Sequence, residues 1–161
     1  MDTRQKILSR AGLHAVLEEH RRSGKTIVFA LGVFDILHAG HVRYLSAARG
    51  EGDLLVVAVH SDASARKLKG DRRPILTERA RAVLVAALAA VDHLIVFEET
   101  DVRALLREFE PDVYACGPDR AANLPADGEL AAFGIRVAIM GAESTHSTSA
   151  LIARVHRGTN G

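Results

Sequence analysis

Thr26-Ile-Val-Phe-Ala-Leu-Gly-Val-Phe-Asp-Ile-Leu-His-Ala-Gly-His41 joins an apolar run to a polar turn, and Val42-Arg-Tyr-Leu-Ser-Ala-Ala-Arg49 follows with helical character. An apolar run of this kind, ending at glycine, reads as a buried strand. A strand that feeds a helix through a glycine-containing turn aims free backbone N–H groups and the positive end of the helix dipole at one place. Such a place suits a phosphate. His38 and His41 stand three residues apart, on one helical face, so both imidazoles can donate to the same polyphosphate. Gly40 between them has no side chain to hold that phosphate off.

The same strand-then-helix pattern repeats outward from this stretch. Leu54-Leu-Val-Val-Ala-Val59 is a continuous run of the kind a parallel strand shows when buried on both faces. Further strands are predicted at 93–97, 112–116 and 135–140. Helices are predicted at about 3–22, from the His38 turn to Arg49, at 76–90 with Thr77 as N-cap, at 102–109 before Pro111, weakly at 123–132, and at 147–155. The polar stretch from Ser61 to Pro74, with Lys67, Lys69, Arg72 and Arg73, reads as a mobile loop. Strands alternating with helices predict an α/β fold, Rossmann-like and doubly wound, with a five-stranded, mostly parallel sheet. One domain is expected over 1–161, with a leading helix within 1–25 and the α/β core over 26–157. Ligands of such sheets bind at the carboxyl ends of the strands. The His38 turn, the lysine segment, Gly117-Pro-Asp-Arg120 and the run from Ser144 to Ser149 all fall at that edge.

Composition narrows the function. The chain has 161 residues and a formal net charge of +1, with 25% charged residues and 4% aromatics. Without a basic patch or stacking residues, a nucleic-acid partner is not expected. The longest apolar run, Ala80 to Val91, is broken by Arg81 and too short to span a membrane. Cys116 is the single cysteine, which excludes an intrachain disulfide and a multi-cysteine zinc site and fits a cytoplasmic protein.

H-x-G-H alone recurs by chance. Preceded by an apolar strand and Gly32-Val-Phe-Asp35, it resembles the signature of the HxGH nucleotidyltransferase superfamily, cytidylyltransferase-like branch. Gly52-Asp53, Ser61-Asp-Ala-Ser64, Leu68-Lys-Gly70, Arg73-Pro74, Val91-Asp92, Phe97-Glu98, Pro111-Asp-Val113 and Ser147-Thr-Ser149 continue the resemblance in order over roughly residues 5–157. Within that superfamily the chain looks most like the adenylyltransferases that make an ADP-activated sugar from D-glycero-β-D-manno-heptose 1-phosphate. In many of those proteins the domain is fused to a sugar kinase; here it is expected to stand alone.

The resemblance implies a direct displacement: a sugar phosphate oxygen attacks the α-phosphorus of ATP and pyrophosphate leaves, with no covalent enzyme intermediate. Such chemistry needs positioning and charge neutralisation. The resemblance assigns catalysis to His38, His41 and Lys69. It assigns nucleotide binding to Gly32, Val33, Phe34, His38, Gly40, His41, Gly117, Asp119, Ser147 and Thr148, with Ser147 also a helix cap. It assigns sugar phosphate binding to Asp35, Asp62, Lys67 and Lys69. Mg²⁺ is expected on the phosphates, with no protein ligand singled out. Members of the family are often homodimers, though no interface is derived from these residues.

Three positions depart from the heptose pattern. Cys116 stands where a lysine is usual, His60 replaces an asparagine before Ser61-Asp62, and Thr145 replaces a glycine. One rival reading is a CTP-dependent enzyme acting on glycerol 3-phosphate or another polyol phosphate. Those proteins carry an arginine-threonine pair where this chain has Ala142-Glu143. A second rival is a nucleotide-binding module without catalysis, against which both histidines argue.

Overall fold

A computed structural model describes residues 2–121 and 128–141. The strands are β1 (Ile27–Gly32), β2 (Leu54–His60), β3 (His93–Phe97), β4 (Val113–Cys116) and β5 (Arg136–Ile139). They form one sheet in the order β3-β2-β1-β4-β5, and every neighbouring pair runs parallel. The winding starts at the centre and reverses direction after β3, as expected of a Rossmann-like doubly wound sheet.

Period-two alternation divides the core into two layers. Ile27, Phe29 and Leu31 share one face with Leu54, Val56 and Ala58, covered by α1 (Arg10–Arg22) and α5 (Val102–Phe109). Val28 and Ala30 share the other with Leu55, Val57 and Val59, covered by α2 (Ala39–Arg49) and α4 (Glu78–Ala86). All seven residues of β2 are buried, six of them apolar, with His60 at the carboxyl end. Leu13 and Leu17 from α1 are fully buried; each such side chain contributes about 2 kcal/mol.

Two elements differ from the sequence expectation. The leading segment is not one helix over 3–22. Thr3–Lys6 is a 3-10 turn, Ile7 extends to bridge Leu94, and α1 begins at Arg10 behind Ser9, whose hydroxyl accepts from the Gly12 N–H. The Leu8 N–H donates to the Leu94 carbonyl at 2.8 Å. Pairing at the open side of β3 outweighs helix formation for these two apolar residues, and Ser9 supplies a better cap.

The segment after β2 is not a mobile loop. Asp62–Lys69 is helix α3, capped by the Ser61 hydroxyl. Ser64 and Ala65 face inward, while Arg66, Lys67 and Lys69 lie exposed in its last turn, where the dipole favours cations. The charge cluster belongs to a solvated helical face.

Helix α4 is shorter than expected, starting after the Thr77 cap. Past β4 come α6 (Pro118–Ala121) and α7 (Gly128–Ala132), so the weak helix at 123–132 is helical in its later part. The closing helix, with Ser147 and Thr148, lies outside the described residues. Among the described residues no helix is long and apolar enough to cross a membrane.

Candidate active site

The β1·β4 ladder ends at Ala30–Ala115, whereas the β1·β2 ladder continues to Gly32–Val59. The central strand therefore leaves β4 before it leaves β2, at the point where the winding reverses. Doubly wound sheets open a ligand crevice there.

The turn after β1 is tightly determined. A Cβ on Gly32 would lie 2.8 Å from the Phe34 ring, so glycine here has a packing reason. Phe34 takes a left-handed φ of 51°, a strained conformation for an aromatic residue, and its buried ring meets His41 edge-on at 5.3 Å between centroids. The Val33 carbonyl accepts from Arg81.

Among the described residues, Arg81 is the largest fully buried side chain. Its guanidinium donates to Val33 O at 2.6 Å, Leu76 O at 3.0 Å and Asp62 Oδ1 at 2.8 Å. A buried cation persists only when its donors are satisfied and a counter-charge is near. These bonds tie α4 to the β1 turn and to the first residue of α3. Asp35, also buried, accepts from the Ile75 and Leu76 N–H groups at 2.7 and 3.0 Å and from Arg73 Nη1 at 2.7 Å. Both of its oxygens hold segment 73–76 against the turn. Asp62 likewise spends its carboxylate on Arg81.

His38 is the N-cap of α2, outside the helix proper, and His41 lies in the first turn. The Gly40 N–H donates to His38 Nδ1 at 3.1 Å, which puts the proton of the neutral ring on Nε2. The two imidazoles stack with centroids 3.9 Å apart. Burial first, then the charge of His38, lowers the His41 pKa to about 4, against a smaller opposing effect of a hydrogen bond to the Ile36 backbone. His41 is therefore a neutral imidazole near pH 7. Together with the amide dipoles of α2, the pair presents donors to an anion without storing two positive charges in one place.

The turn thus brings together Gly32, Val33, Phe34, Asp35, His38, Gly40 and His41, and Asp62 joins them through Arg81. Lys67 and Lys69 stand on α3, exposed and apart from this network. Gly117 follows β4, and among the described residues nothing lies within 4 Å of where its Cβ would stand. The Asp119 side chain is outside the described residues. Cys116, in the family's lysine position, is fully buried. Among the described residues, no group of three or more His, Cys, Asp or Glu side chains gathers where it could hold a metal ion.

Sequence reasoning missed Arg81 and Arg73. A charge inside the apolar stretch from Ala80 to Val91 was the available signal for Arg81. For Arg73 it was the Arg73-Pro74 motif, to which no role was given.

Residues 29–154 match the model of the cytidylyltransferase-like family. A bifunctional protein HldE from Syntrophotalea carbinolica is 42% identical over 151 residues, covering 93% of this chain and 31% of that protein. Bifunctional protein HldE from Helicobacter pylori strain Shi470 is 42% identical over 158 residues, covering 98% and 33%. The chain spans about a third of the length of these relatives. Among solved structures, the lipopolysaccharide core biosynthesis protein of Thermoplasma volcanium GSS1 matches with a TM-score of 0.64 and 33% identity, over 75% of this chain and all of that one.

Proposed function

Because the chain belongs to the cytidylyltransferase-like family and is a nucleotidyltransferase, we propose that it transfers AMP from ATP to a sugar 1-phosphate, D-glycero-β-D-manno-heptose 1-phosphate, releasing pyrophosphate. The observation that carries this reading is the stacked His38–His41 pair at the N-terminus of α2, beside the parting of β1 and β4. The choice of acceptor is supported by the heptose-enzyme motifs along most of the chain and by the HldE relatives.

In this reading the β- and γ-phosphates lie against the first turn of α2. His38 donates through Nε2–H, and neutral His41 turns its one N–H from the Ile36 backbone to a phosphate oxygen. An oxygen of the sugar phosphate attacks the α-phosphorus, the bond to the β-phosphate bridging oxygen breaks, and its electron pair leaves with pyrophosphate. Both imidazoles then stabilise charge that grows on the leaving group. Lys67 and Lys69 draw the anionic acceptor toward the carboxyl edge of the sheet. Mg²⁺ would come with the triphosphate, since the nearest carboxylate of the turn, Asp35, already accepts from Arg73, Ile75 and Leu76. The ion supplies charge neutralisation of the polyphosphate.

The test offers the purified protein ATP, CTP, GTP and UTP, each with heptose 1-phosphate and with glycerol 3-phosphate, and follows pyrophosphate. ATP with the heptose phosphate is the expected pair. Preference for CTP overturns the adenylyl assignment, and calorimetry without affinity for any triphosphate in the presence of Mg²⁺ overturns the site itself.

A further inference from the structure

Tyr44 stands on α2 three residues past His41, one turn further along the same side of the helix. Its ring packs against the buried layer formed by β1, β2 and α4, while its hydroxyl reaches across to β4 and donates to the Ala115 carbonyl at 2.8 Å. Ala115 is the last β4 residue paired with β1. A carbonyl oxygen has two lone pairs, so it serves a sheet ladder and a phenol together. Past this rung β1 runs into the histidine turn and β4 runs to Gly117. The phenol therefore fastens the helix bearing one lip of the crevice to the strand bearing the other.

We infer that Tyr44 is a positioning residue that sets the spacing of the two lips and thereby governs binding of the nucleoside triphosphate. The inference rests on the nucleotidyl-transfer reading above. A nucleotide whose phosphates lie on α2 and whose nucleoside extends toward Gly117 touches both lips. An acceptor steered by the α3 lysines does not depend on their separation. Small displacements of one lip carry large effects because reacting groups must meet within a narrow range of distances.

Tyr44→Phe keeps the ring and its packing and removes the O–H. Pyrophosphate release is measured with ATP and heptose 1-phosphate varied separately, alongside ATP calorimetry and thermal melting. The KM and Kd for ATP are expected to rise about ten-fold, the scale of one well-made hydrogen bond. The acceptor KM stays within about two-fold, and the variant melts cooperatively. Unchanged ATP parameters, or equal rises for both substrates, overturn the inference while leaving the activity standing. A wild-type chain that releases no pyrophosphate with any triphosphate overturns the functional reading and this inference with it.

Discussion

The imidazole planes of His38 and His41 lie 25° from parallel, with centroids 3.9 Å apart. Burial of His41, and then the charge of His38 at that separation, disfavour a proton on His41. An incoming polyphosphate therefore meets a neutral His41 ring.

Native-state stability should depend on this. The His41 pKa is about 4 in the fold against 6.5 in the open chain. Between those values the unfolded chain binds a proton that the folded one refuses. The contribution is fully present above about pH 6.5 and is lost as pH falls toward 4. Urea midpoints measured from pH 7 to pH 4 should decline across this window, and His41→Asn should decline less. Equal slopes would remove His41 as the cause.

His38→Ala removes an Nε2–H donor and a helix cap. Pyrophosphate release should drop at least about a hundred-fold, as for loss of one preorganised donor. Stability should fall by about 1 kcal/mol, the usual value of a cap. Circular dichroism and a urea titration separate these effects; turnover at the wild-type rate would refute the role given to His38.

Arg81→Met leaves Asp62 without its cation and the Val33 and Leu76 carbonyls without a donor. Asp62 keeps some contact with water, its side chain being 24% exposed. The expected loss is about 3 kcal/mol in urea unfolding. Arg81→Lys should recover part of it, since a single ammonium cannot reproduce the planar reach to three acceptors.

Much of the fold was legible from sequence because the signals were local. β3 and α5 have the expected bounds, since continuous apolar runs and Pro111 punctuate them. α3 was hidden: its exposed face carries Arg66, Lys67 and Lys69, and its buried side, Ser64 and Ala65, is too small to stand out as apolar periodicity. The chemistry of the His38 turn was legible for the same local reason. The ion pair between Asp35 and Arg73 joins residues 38 apart, and that of Arg81 with Asp62 joins residues 19 apart. Long-range pairing leaves no mark in spacing, so the ties of Asp35 to Arg73 and of Asp62 to Arg81 could not be read from the sequence.

Lys67→Ala combined with Lys69→Ala tests the steering role of α3. Both side chains are exposed, so the melting temperature should hold. The KM for the sugar phosphate should rise about three- to ten-fold, with a flatter dependence on ionic strength. An unchanged salt dependence would assign the lysines to the surface alone.

Ile7 and Leu8 close the outer side of β3, and the Lys6 ammonium donates to the Leu88 and Val91 carbonyls at 3.2 and 2.7 Å. Stripped of Ile7 and Leu8, β3 would show the unpaired backbone of Leu94 to its neighbours in solution. Molecules could then template one another edge to edge. The short segment ahead of α1 thus acts as a guard against self-association, far from any chemistry at the opposite rim.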